Sequence, residues 1–89
     1  MQEIDQLRAQ IDQLHSQMAG LLRQRLKLTE KIWNLKKAQQ IALHDSNREN
    51  AIIHQFDDSS SNELEKIALQ NFFKSILSEN KKYLETKLK

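Results

Sequence analysis

Residues 4–35 read IDQLRAQIDQLHSQMAGLLRQRLKLTEKIWNL. Ile4, Leu7, Ile11, Leu14, Met18, Leu21, Leu28, Ile32 and Leu35 recur at alternating steps of three and four, and the one beat left over falls on Arg25. That spacing keeps a single stripe of an α-helix apolar. Nine of its ten positions are apolar and the tenth is a permanent cation. A guanidinium on a stripe destined for burial is costly unless an anion meets it. The anion is either a carboxylate of the protein or a carboxylate of a ligand, and which of the two it is decides what the chain does.

The periodic stretch predicts a first helix from Gln2 to Gln40, roughly 58 Å long at 1.5 Å per residue. One chain of 89 residues is too short to cover such a rod along its whole length. A long heptad-like seam is also the usual signature of helix association. The expectation is therefore at least a dimer. A break follows at His44-Asp45-Ser46-Asn47, where Ser46-Asn47-Arg48-Glu49 fits a capping box with Ser46 as N-cap and Glu49 reaching back. A short second helix is expected from Asn47 to Phe56, with Ile52, Ile53 and Phe56 on its apolar face. The polar run Asp57-Asp58-Ser59-Ser60-Ser61-Asn62 reads as a loop rich in capping residues. A third helix of medium length is expected from Glu63 to Thr86. Leu64, Ile67, Ala68, Phe72, Phe73, Ile76, Leu77 and Leu84 form its core face, and Asn80 interrupts them.

Composition agrees with an all-α fold in a single domain spanning 1–89. The chain has no proline, one glycine and no cysteine, which leaves little turn chemistry for a sheet and excludes both a disulfide framework and a thiolate metal site. The net charge of +2 comes from interspersed acids and bases, without the basic block that nucleic-acid binding usually shows. Lys81, Lys82, Lys87 and Lys89 suit the solvated C-terminal end of a helix. No run is long enough to cross a membrane and no apolar leader stands out, so a cytoplasmic protein is expected, with neither nucleic acid nor membrane as partner.

Three further sets of residues bear on chemistry. Arg25 and Lys36 are eleven residues apart, close to three helical turns, so they share a face with Cα atoms roughly 16 Å apart and can bracket a small anion. Arg8 lies seventeen residues before Arg25, about 25 Å along the rod and on another face. Arg8 and Arg25 of one chain cannot hold the same small ligand, but Arg8 of one subunit can approach Arg25 of another in an antiparallel or crossed dimer. Asp45, Arg48 and Glu49 share a face at the entry to the second helix if that segment is helical, where they serve as cap and local ion pair or as a polar lid. His15, His44 and His54 have no metal-ligand spacing, a single glycine makes no phosphate-cradling loop, and no nucleophile sits beside a base. No metal and no cofactor are expected.

Taken together, these segments resemble the small all-helical (AroQ-type) chorismate mutases. The resemblance is carried by Leu7-Arg8-Ala9-Gln10-Ile11-Asp12, Leu21-Leu22-Arg23-Gln24-Arg25, Lys36, Asp45-Ser46-Asn47-Arg48-Glu49, and Phe73-Lys74-Ser75-Ile76-Leu77 with Asn80. It implies an intertwined homodimer of three-helix subunits with two active sites that rearrange chorismate to prephenate. It further implies that Arg25 and Arg8, the latter from the neighbouring chain, hold the two substrate carboxylates. Lys36 would face the ether oxygen, Asp45 and Glu49 the ring hydroxyl with Arg48 beside them, and Asn80 would stand where the family usually has serine or another small polar residue. One turn further the family normally has glutamine or glutamate as a donor to the ether oxygen, and this chain has Leu84. The departure points to a weak mutase, altered chemistry or an inactive relative. Two other readings stand beside the mutase: an isochorismate–pyruvate lyase of the same fold, and a non-catalytic helical dimerisation module in which Arg25 merely sets the register.

Overall fold

The computed structural model describes residues 2–88, and these form three helices: α1 (Gln2–Ala38), α2 (Ser46–Ile53) and α3 (Glu63–Lys87). Among the described residues there is no strand. The all-α architecture of one long, one short and one medium helix therefore follows the sequence pattern. The chain divides into two compact units, one reaching along α1 to Asn34 and one beginning at Leu35.

Within the first unit no residue of α1 is buried. The apolar seam is open to solvent at every apolar position, from 40 % for Ile4 to 63 % for Leu21. The periodicity thus forms the helix without a buried core inside that unit.

α1 stops two residues before the expected Gln40. Gln40 takes a left-handed conformation with φ 58°. Its N–H donates to the Lys37 carbonyl at 3.2 Å, and the Ile41 N–H donates to the Lys36 carbonyl at 2.8 Å. Those two bonds make a Schellman motif, which satisfies carbonyls that the end of a helix would otherwise orphan. Glycine or asparagine usually occupies the left-handed position, and a glutamine there carries no signal of it in sequence.

α2 also starts one residue earlier than expected. Asp45, not Ser46, is the N-cap: its backbone is extended and its Oδ1 accepts from the Arg48 N–H at 3.0 Å. Both residues can cap, but a carboxylate gains additionally from the positive end of the helix dipole. With Asp45 as cap the third helical position is Arg48, so no capping box forms and Glu49 does not reach back. The helix ends at Ile53 rather than Phe56. Residues 54–59 continue as turns, with the Ser59 and Ser60 hydroxyls donating to the Phe56 carbonyl at 3.2 and 2.8 Å.

α3 starts where expected. Asn62 caps it by accepting from the Glu65 N–H at 2.8 Å. The Glu65 carboxylate returns to Ser61, accepting from its N–H at 3.1 Å and its hydroxyl at 2.6 Å. These bonds, the hydroxyl first, hold the Glu65 carboxyl below its ordinary pKa. One turn along, Lys66 pairs with Glu63 at 3.0 Å, which raises the lysine.

The expected core face of α3 is corrected by the structure. Leu64, Ile67 and Phe72 are 81, 46 and 64 % exposed, and Ala68 is exposed as well. Phe73, Ile76, Leu77 and Asn80 are half-buried, and Leu84, at 3 %, is the buried hydrophobic residue of the core. At 100° per residue, Leu64 and Phe73 lie on opposite sides of the helix. The apolar residues form two stripes, which a count of apolar positions merges into one.

α2 and α3 pack against each other. The rings of Phe56 and Phe73 lie 5.6 Å apart between centroids, tilted by 35°. Beside them Asp57 accepts from the Gln70 side-chain amide at 2.9 Å and from His54 Nδ1 at 2.8 Å. The Gln70 bond is the larger cause, and the His54 bond the smaller, of an Asp57 pKa below the usual carboxylate value.

Asp57 and Glu65 both have depressed pKa values in the fold. Each therefore contributes stability that is complete above the unfolded-state carboxylate pKa and is lost as the pH falls through the lower folded value. Thermal unfolding followed by circular dichroism should show the midpoint dropping below about pH 4.5. Asp57→Asn combined with Glu65→Gln should lower the midpoint at neutral pH and shrink the acid drop. An acid drop as large in that variant as in the wild type contradicts the assignment.

Candidate active site

In the first unit, α1 carries the two arginines singled out by sequence. Arg8 is exposed. Arg25 is half-buried, and its Nη1 is out of contact with solvent. The seam is apolar at every other beat, so this shielded nitrogen belongs to the one cation in that stripe. Thr29, one turn on, folds its hydroxyl back onto the Arg25 and Leu26 carbonyls at 2.9 and 3.0 Å. Such back-bonding leaves the hydroxyl little freedom to serve a ligand.

The second unit carries the remaining candidates. Lys36, half-buried in the last turns of α1, donates from Nζ to the Leu43 carbonyl at 3.4 Å. That bond is long, and an ammonium has three donors, so Lys36 keeps capacity for an acceptor from solution. Asp45 spends Oδ1 on capping α2 and so is tied to the Arg48 backbone, while the Arg48 side chain is exposed. Glu49, on the first turn of α2, is half-buried with Oε1 3.7 Å from His44 Nδ1. Asn80 and Leu84 stand one turn apart on α3, on its inward side, the first half-buried and the second buried.

The end of α1, the connector of residues 39–45 and the start of α2 are thus laced together through Lys36, Leu43, His44, Asp45, Arg48 and Glu49. Sequence reading did not pick out His44 or the Leu43 carbonyl. His44 lies outside a helix, so no three- or four-residue spacing links it to Glu49, and a backbone carbonyl leaves no trace in side-chain patterns. The cluster of His54, Asp57 and Gln70 was equally silent, because it joins two elements sixteen residues apart at its widest.

The arrangement offers cations and hydrogen-bond donors but no nucleophile beside a base. Among the described residues no group of three His, Asp or Glu side chains can hold a metal ion, and no helix is long and apolar enough to cross a membrane. Such a donor set suits the binding of a small anion and electrostatic catalysis on it.

The sequence model of the chorismate mutase type II family matches residues 7–85. The chain belongs to that family. The match runs from the second apolar beat of α1 to the residue after Leu84, so Arg8, Arg25, Lys36, Asp45, Arg48, Glu49, Asn80 and Leu84 all fall inside it. Neither a curated protein nor a solved structure matches the chain. Leu84, inside the matched span, is part of the packed interior.

Proposed function

We propose that the chain is a homodimeric chorismate mutase that converts chorismate to prephenate. One observation carries the reading: a permanent cation, Arg25, replaces an apolar residue in the α1 seam of a chain that belongs to this family. A dimerisation seam alone has no need of that cation.

The apolar surface that each unit leaves open supports the homodimer. The exposed apolar residues of α1, with Leu64, Ile67 and Phe72 of α3, supply the surface to be covered.

In this reading Arg25 and the partner subunit's Arg8 grip the two carboxylates of chorismate. Holding both folds the enolpyruvyl arm over the ring, which pre-pays the orientation of the reacting carbons. The ether C–O bond then breaks as a C–C bond forms between the arm and the ring. All atoms stay within the molecule, and no proton or electron is exchanged with the protein. Negative charge gathers on the ether oxygen in the transition state, and the Lys36 ammonium stabilises it there more than in the ground state. Asp45 and Glu49 accept from the ring hydroxyl, with Arg48 beside them, and Asn80 lines the site from α3. Leu84 cannot donate, so the ether oxygen relies on Lys36.

Loss of the chorismate diene absorbance on mixing with the protein is the expected result. A folded protein with no rate above background rejects the reading, and pyruvate release from isochorismate instead would assign the related lyase reaction. Sharing of the site between subunits has its own test. Arg8→Ala and Arg25→Ala are each expected to be inactive. Mixed and re-equilibrated, they should recover about a quarter of wild-type activity, because half of randomly paired dimers carry one intact site of two. No recovery would contradict a contribution from the neighbouring chain.

Leu84→Gln is expected to raise kcat/KM at least several-fold by restoring a donor. It should also lower stability by about 1–3 kcal/mol, because an amide replaces a buried apolar side chain. Parallel kinetics and thermal unfolding check both; an unchanged or lower rate contradicts the placement of Leu84 at the ether oxygen.

A further inference from the structure

The connector between α1 and α2 is pinned at both ends. Gln40 and Ile41 close the Schellman motif on α1, and Asp45 caps α2. Between those pins two successive residues meet the site. The Leu43 carbonyl accepts from Lys36 Nζ, and the His44 ring lies 3.7 Å from Glu49 Oε1. The His44–Glu49 distance is that of an ion pair rather than a hydrogen bond. It joins side chains that are 63 and 40 % exposed, so it is reachable from solvent but not lost in it.

From this geometry we infer that His44 is a positioning residue for Glu49. Resting on the mutase reading, the inference assigns His44 the task of fixing the carboxylate that meets the substrate's ring hydroxyl. A glutamate side chain has three rotatable bonds and ordinarily samples several rotamers. The His44 ring facing Oε1 restricts it and leaves Oε2 as acceptor for the hydroxyl. The other charged groups at this junction are Asp45, its carboxylate engaged by the Arg48 N–H, the Arg48 side chain, and Lys36, whose ammonium holds the preceding carbonyl. A carboxylate without that restraint samples its other rotamers and is turned from the hydroxyl for part of the time.

The test is steady-state kinetics with chorismate on the full chain. Because binding geometry changes and the ether oxygen is untouched, the effect falls on KM and spares kcat. His44→Gln should raise KM about threefold, the size commanded by a half-exposed pair, and His44→Arg, which keeps a donor facing Oε1, should keep the wild-type KM. Combined with Glu49→Gln, His44→Gln should add no further rise, since the two act through one contact. A wild-type KM in His44→Gln, or additive effects in the double variant, overturns the inference while leaving the mutase reading intact. No turnover by the folded wild type overturns the mutase reading itself and this inference with it.

Discussion

Everything in this chain answers to an apolar seam that stands open to solvent along α1 and contains one arginine. Ten beats of three and four fix α1 as a helix, and the same beats leave the stripe exposed along its length. Burial of such a stripe is the dominant stabilising term available to so small a chain. A cation inside it opposes that burial. Replacing the cation with leucine would be the simplest way to a more stable seam. In the mutase reading the arginine persists because it binds a substrate carboxylate, so stability is given up where binding is gained.

The second unit applies the same economy to polar groups. With so little core, its order comes from local bonds: the Schellman closure at Gln40, the caps at Asp45 and Asn62, and the tie of His54, Asp57 and Gln70 between the exit of α2 and α3. These bonds also hold the candidate site. Asp45 caps α2 and, in the mutase reading, also faces the substrate. Lys36 ends α1 and reaches the connector. Leu84 takes the opposite course, being the buried hydrophobic residue among those described. In the mutase reading it brings packing to a position where the reaction would use a donor, which weakens the contact to the ether oxygen.

What could be read without a structure followed from periodicity and composition. The 3-4 spacing forces α1, the polar run before Glu63 announces α3, and the absence of proline and near absence of glycine leave no room for a sheet. The family likewise shows in the cations and their intervals. The misread features turn on choices between near-equal local states. Gln40 takes a left-handed turn that glycine would have advertised. Asp45 and Ser46 can both cap, and the carboxylate wins. Past Ile53 the chain continues as turns, and the Ser59 and Ser60 hydroxyls donate to the Phe56 carbonyl there. On α3, Leu64, Ile67 and Phe72 face away from Phe73 and Leu84, a distinction that requires angles rather than counts. His44 and Glu49 approach through a bend in the backbone, and no spacing rule connects them.

Arg25→Leu tests the central claim most directly, because it restores the tenth apolar beat and removes the cation together. Thermal unfolding with and without chorismate, beside an assay of turnover, should find a variant at least as stable as the wild type alone. It should also have lost both turnover and the ligand-induced rise in melting temperature. A variant that still turns over chorismate and is still stabilised by it would show that the guanidinium is not held for the substrate, and would contradict the account.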